Sequence, residues 1–280
     1  MTMSFLPVAG RNAIDNCVLN VRFPHQPDQA TLGAIRAEAA RIAQENDLPS
    51  SQQVMVAQLF VGAPASPFSP ISPNQPQAAS VFQRYAPDGK VVAEFRCDPQ
   101  GISLQTRLYE SWDNLLAWVE KTILVILPFY MRAIPAILGV SLQYDDIFYA
   151  NFSENPPSAF ELFREDTKWV TLHDRKSEQQ WHSHFGMFFL QSSQQRELVN
   201  VNVNVSDLVE AAGSWRRNVA LTFLVSEAFD IPGEMPLILD RENAGAAVLE
   251  LFRKAHDRQR QILEEVLADA YLVEIGAKVT

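Results

Sequence analysis

A chain of 280 residues that is 47% hydrophobic and 20% charged has the make-up of a folded globular protein, which excludes wholesale disorder. Its formal net charge of −10 argues against a nucleic-acid binder, because such proteins present a basic face. Two cysteines, Cys17 and Cys97, with no Cys-x-x-Cys pair, exclude a zinc ribbon and a thioredoxin-type motif.

The opening residues, MTMSFLPVAGRN, lack a charged segment followed by a long apolar one, so no signal peptide is expected. Cys17, Leu19, Val21 and Phe23 alternate with polar or outward positions and predict a strand. From about Asp28 to Asn46 the period becomes helical, with Leu32, Ile35, Ala39 and Ile42 on one face. Gln53–Gly62 predicts the next strand.

Proline then recurs at every third position: Pro64, Pro67, Pro70, Pro73 and Pro76. Polyproline II has three residues per turn, so the prolines share one edge, Phe68 and Ile71 a second and the serines a third. Such sorting favours a strap packed on the protein's own body or on a second subunit, over a disordered loop or a docking peptide for a foreign aromatic groove. At about 3.1 Å per residue the segment could span roughly 40 Å.

A three-stranded meander follows, SVFQRY, KVVAEFRC and ISLQTRL, joined by the turns PDG and DPQG. Ser111 is placed to cap a long helix reaching about Met131, which Pro128 should bend or end. The apolar window Thr122–Val140 contains Arg132 and two prolines and is too interrupted to span a bilayer, so a soluble, cytoplasmic protein is expected. ILGVSLQYDD predicts a strand, and Glu154–Pro157 a break between halves at 1–153 and 154–280. Beyond it, KWVTLH, HFGMFFLQ, RELVNVNVNVS and NVALTFLVSEAF predict strands, and Arg241–Tyr271 a terminal amphipathic helix capped by Asp240. Each half thus carries strands and one long helix, the organisation of a diverged duplication.

Candidate chemistry is sparse. His182 and His184, two apart in a strand, share a face as a metal pair would, with His173 and Asp174 upstream to complete a set. Against this stands a plain surface position beside Trp181. Asp145 and Asp146 are strand neighbours and point to opposite faces, so they cannot act on one bond and read as a solvated turn. In VNVNVNV the valines bury and Asn200, Asn202 and Asn204 line the other face, with Thr222 and Ser226 beside them. Asparagine is depleted in strands, and amides both donate and accept, so this row is a candidate binding face. His256 falls on the shoulder of the last helix's stripe, placed to hydrogen-bond a neighbouring strand. Both cysteines lie on apolar strand faces and read as buried and inert. No glycine-rich phosphate loop, Gly-x-Ser-x-Gly or His-Glu-x-x-His is present.

Three stretches carry a resemblance: RYAPDGKVVAEFRCDPQGISLQTRLYESWDNLLAWVEK, ILGVSLQYDDIF and AHDRQRQILEEVL. From Arg84 onward the chain resembles a widely but sporadically distributed bacterial family of uncharacterised proteins. Where that family shows a Gly-Leu-Arg-Tyr-like strand, this chain has Gln143 before Tyr144. The resemblance implies a single α+β unit and carries no activity to transfer. The family's patchy distribution implies a place in a bacterial defence or toxin–antidote operon as one alternative.

The expected fold is α+β, largely antiparallel sheet with long amphipathic helices packed on one face. The expected function is a non-catalytic binding or assembly protein and homo-oligomer without a cofactor. It would hold a protein partner through Asn200, Asn202, Asn204 and Thr222 and through Phe68 and Ile71 of the strap. The other alternative is a metal-assisted hydrolase built on His182, His184 and His173.

Overall fold

Residues 3–10, 12–56, 77–171, 179–210, 214–229 and 236–277 are described by a computed structural model. The strands are β1 (Leu6–Pro7), β2 (Ile14–Arg22), β3 (Ser50–Val56), β4 (Gln77–Tyr85), β5 (Val91–Asp98), β6 (Gly101–Thr106), β7 (Ala136–Ile137), β8 (Gly139–Phe152), β9 (Trp181–Leu190), β10 (Arg196–Val209), β11 (Trp215–Ala228) and β12 (Leu237–Ile238). The helices are α1 (Gln29–Glu45), α2 (Trp112–Lys121), α3 (Ile123–Ala133), α4 (Ala244–Val266) and α5 (Asp269–Glu274). Ten strands form one antiparallel sheet in the order β3-β4-β5-β6-β2-β8-β11-β10-β9, with β1 added along β8. β7 and β12 pair separately.

Strict alternation gives the sheet an apolar and a polar face. Cys17, Leu19 and Val21 of β2, Leu142, Tyr144 and Phe148 of β8, Leu221, Phe223 and Val225 of β11, and the valines 199–205 of β10 are all buried. Register aligns them: Tyr144 lies opposite Cys17 and Phe223, and Phe223 opposite Val201. β8 sits between β2 and β11, so strands from before and after Glu154–Pro157 belong to one sheet.

Helix α1 starts where expected. Asp28 Oδ1 accepts the Thr31 N–H at 2.7 Å, and that bond holds the Asp28 carboxyl below its usual range. Leu32, Ile35, Ala39 and Ile42 are buried, and the helix touches β4, β5 and α3. α4 packs on β8 and β11. Arg258 Nε donates to Glu197 Oε1 at 3.1 Å. Lys254 Nζ lies 3.0 Å from Glu227 Oε1, a charge contact whose geometry is not that of a hydrogen bond. The mid-helix polar run Arg258–Arg260 thus includes an anchor to β10, and Gln259 within it is buried.

Three expectations are corrected. The helix after Ser111 bends by 45° between α2 and α3, at Thr122, and α3 continues through Pro128 to Ala133. The cause is the Thr122 hydroxyl, which donates to Trp118 O at 2.6 Å and takes the acceptor its own N–H would use; that N–H turns to Val119 O at 3.3 Å. Lys168, Trp169 and Val170 form a bend rather than a strand, because Trp169 and Val170 are buried in succession and Trp169 Nε1 donates to Glu265 Oε2 at 2.9 Å. The terminal helix starts later and stops earlier than its stripe suggests: Asp240 holds a turn through Asn243 Nδ2 at 2.8 Å, and the chain breaks at Leu267–Ala268 before α5. Among the described residues no single helix is long and apolar enough to cross a membrane.

Candidate functional site

On the polar face, register brings together residues from five strands. Asp145 of β8 lies opposite Asn16 of β2 and Thr222 of β11. Thr222 lies opposite Asn202 of β10, and Asn202 opposite His184 of β9. The Asp145 carboxylate is surrounded by neutral donors: Thr222 Oγ1 at 2.8 Å, Asn16 Nδ2 at 2.9 Å, and Gln143 Nε2 at 3.0 and 3.2 Å from its two oxygens. Gln105 Nε2 of β6 continues the ladder to Asn16 Oδ1 at 3.0 Å. A carboxylate held by side-chain donors on both flanks is satisfied without a cation, so the ladder fixes its members in place.

The predicted face residues fall along this ladder. Asn202 is at its β10 end, where Oδ1 is buried with no hydrogen-bond partner. Asn204 lies opposite His182 and Ala220. Asn200 lies opposite Gly186, where a Cβ would come 2.4 Å from Asn200 Oδ1, so the amide occupies the space a side chain would need. Phe68, Ile71 and His173 lie outside the described residues. His182 and His184 share the polar face and are exposed. Among the described residues no group of three or more His, Cys, Asp and Glu could hold a metal ion.

The sequence reading missed Asp145 as the hub. Asp145 and Asp146, expected in a solvated turn, both lie inside the fourteen-residue β8. Their opposite directions hold: Asp145 is on the polar face, and Asp146 on the apolar face is 2% exposed, with Oδ1 unpartnered. The available signal was register, since Asn16, Gln143 and Gln105 occupy the outward positions of strands already assigned.

A second gathering lies beneath the sheet. Tyr144 Oη is 3.2 Å from His256 Nδ1, and Trp112 stacks on the imidazole with centroids 4.1 Å apart and planes 8° apart. Tyr109 meets Tyr144 edge-on at 5.5 Å. Burial, with Asp145 adding to it, pushes Asp146 up to about 7, and burial pulls His256 down to about 4. Burial likewise raises the Cys17 thiol, which keeps it protonated and inert. Beside this set, a cleft of about 450 Å³ is lined by Tyr109, Arg84, Trp118 and Asp47 among others. Burial keeps Tyr144 and Cys17 protonated and His256 uncharged near neutral pH, an arrangement that suits a core rather than a nucleophile.

The chain matches no family model, and no curated protein matches it.

Proposed function

We propose that the protein is a non-catalytic binding or assembly protein of the bacterial cytoplasm that engages a protein partner through the polar face of its sheet. The observation that carries this reading is Asn202, whose buried Oδ1 has no donor at the end of a ladder that satisfies its other members. A buried polar atom without a partner costs on the order of 1–3 kcal/mol, and rotation of the half-buried Asn202 amide would bring this oxygen to a bound chain's N–H and relieve that cost. In this reading the long helices cover the apolar face and leave the other to the partner, and the shared sheet makes both halves one structural unit. Neutral amides, a hydroxyl and a caged carboxylate suit a polypeptide surface better than nucleic acid, in keeping with the net charge of −10.

The test is affinity capture from the native host with wild-type protein and with Asn204→Lys, which sets a charge on the exposed part of the face without touching the ladder. The partner should be lost while the unfolding midpoint stays put. Retention of the same partner by the variant overturns the reading.

The placement of His182 and His184 on one face favours one alternative, the metal-assisted hydrolase. Stoichiometric zinc, manganese or iron that disappears in a His182→Ala/His184→Ala variant would favour it instead.

A further inference from the structure

Strand β9 closes one end of the sheet: β10 pairs along one side of it, and no strand of the described residues pairs along the other. Such an edge presents free N–H and C=O groups and is normally blunted by lysine, proline or an inward charge. β9, WHSHFGMFFL, has none of these. It also carries two of the most exposed large apolar side chains described, Phe188 at 64% and Leu190 at 78%. Both lie on the polar face, in register with Leu198 and Arg196 of β10.

Charge singles this edge out. In a chain with 33 acidic and 23 basic residues, no Asp, Glu, Lys or Arg occurs between Glu178 and Arg196. Two copies of a protein of net charge −10 repel each other at most approaches, and an uncharged edge is where that repulsion is least. Two guanidiniums approach the strand from neighbouring elements, each 5.2 Å from a ring centroid: Arg196 of β10 at Phe188 and Arg258 of α4 at Phe189.

We propose that β9 pairs antiparallel with β9 of a second copy about a twofold axis at Gly186, joining the two sheets into one. This register uses nearly the whole strand. On the polar face it sets His184 against Phe188 of the second copy and His182 against Leu190, so imidazoles meet apolar side chains and not each other. Gly186 meets its own equivalent, and the absence of a side chain there leaves room for the Asn200 amides that lie over each glycine. An isologous strand pair of this kind is self-complementary by construction. The proposal rests on the assembly part of the reading above, with a second copy of this chain as the partner, and names the edge that performs it.

Light scattering on the full chain over a hundredfold concentration range tests it. Wild type should have twice the 31.5 kDa chain mass, and Phe188→Glu should fall to the chain mass with its far-UV circular dichroism unchanged. Leu190→Lys serves as a second edge variant and should weaken association at least tenfold. His184→Cys/Phe188→Cys should form an intermolecular disulfide under mild oxidation, since both native cysteines are buried. A wild-type monomer at every concentration overturns the proposal and leaves partner capture to judge the polar face. A dimer that survives both edge variants also overturns it, while preserving self-association through another surface.

Discussion

Tyr144 of β8 and His256 of α4, 112 positions apart in sequence, meet with Oη and Nδ1 3.2 Å from each other. Asp146, two residues along the same strand, points to the same buried face. The two titratable groups near Tyr144 have opposite effects on stability. Asp146 has a folded pKa of about 7 against an ordinary carboxyl's 3.8. The native state therefore keeps a proton that the unfolded chain releases, and Asp146's contribution to stability falls as pH rises from about 4 to 7. His256 has a folded pKa of about 4 against 6.5. The unfolded chain takes up a proton that the native state refuses, so its contribution is lost as pH falls from 6.5 to 4. The Asp146 effect is on the order of 4 kcal/mol and the His256 effect on the order of 3 kcal/mol before solvent screening of the partly exposed His256, and across their shared window they nearly cancel. Asp146→Asn should unmask the histidine, and its urea midpoint should climb from pH 4.5 to 6.5. His256→Gln should unmask the aspartate and slope the other way. Parallel profiles in the two variants would rule out the compensation.

The Arg258–Glu197 contact makes a second prediction. The Glu197 carboxylate is 4% exposed, and the Arg258 guanidinium donates to it while lying 5.2 Å from the Phe189 ring centroid. Removing one member of a buried pair strands the other, which costs about 3 kcal/mol, whereas replacing both with apolar groups of similar size is close to neutral. Arg258→Ala should therefore lower the denaturant midpoint far more than Glu197→Leu/Arg258→Leu. If the double variant is the less stable, the pair contributes to stability outright.

The strands and their two faces were legible in the sequence because period two is a local signal: Cys17, Leu19 and Val21 announce their direction without any knowledge of their neighbours. The polar ladder was half legible. Asn200, Asn202, Asn204 and Thr222 stand out on adjacent strands, but Asp145 becomes the hub only once β8 is known to lie between β2 and β11, an order that skips from the second strand to the eighth. The bend at Thr122 left no trace, because it arises from one hydroxyl choosing one carbonyl in a stretch whose apolar period continues across it. The strand misread at Lys168 has the same root. Composition says that Trp169 and Val170 are buried, and only the packing against Glu265 of α4 says that they lie in a bend.

Asp47 ends α1 with φ of 55°, the one positive value among described non-glycine residues, so that the Leu48 N–H can reach Ala43 O at 2.9 Å. Glycine adopts this conformation without steric cost, and aspartate only tolerates it. Asp47→Gly should stabilise the fold by about 0.5–1 kcal/mol, seen as a rise in Tm. A fall would mean that the carboxylate makes a contact in the neighbouring cleft worth more than the strain it bears.

Gly139 and Gly186 both lie in strands, and both would place an added Cβ too close to an oxygen. At Gly139, with φ of 157°, the oxygen is the Glu227 backbone carbonyl at 2.3 Å. At Gly186 it is the Asn200 side-chain amide at 2.4 Å. A backbone carbonyl inside a ladder cannot move without parting β8 from β11, whereas an amide can rotate. Gly139→Ala should therefore cost about 3 kcal/mol, and Gly186→Ala less than about 1 kcal/mol, by denaturant unfolding. If the two cost the same, the Asn200 amide is held over Gly186 as firmly as backbone. That outcome would make Asn200 a fixed part of the polar face rather than an adaptable one.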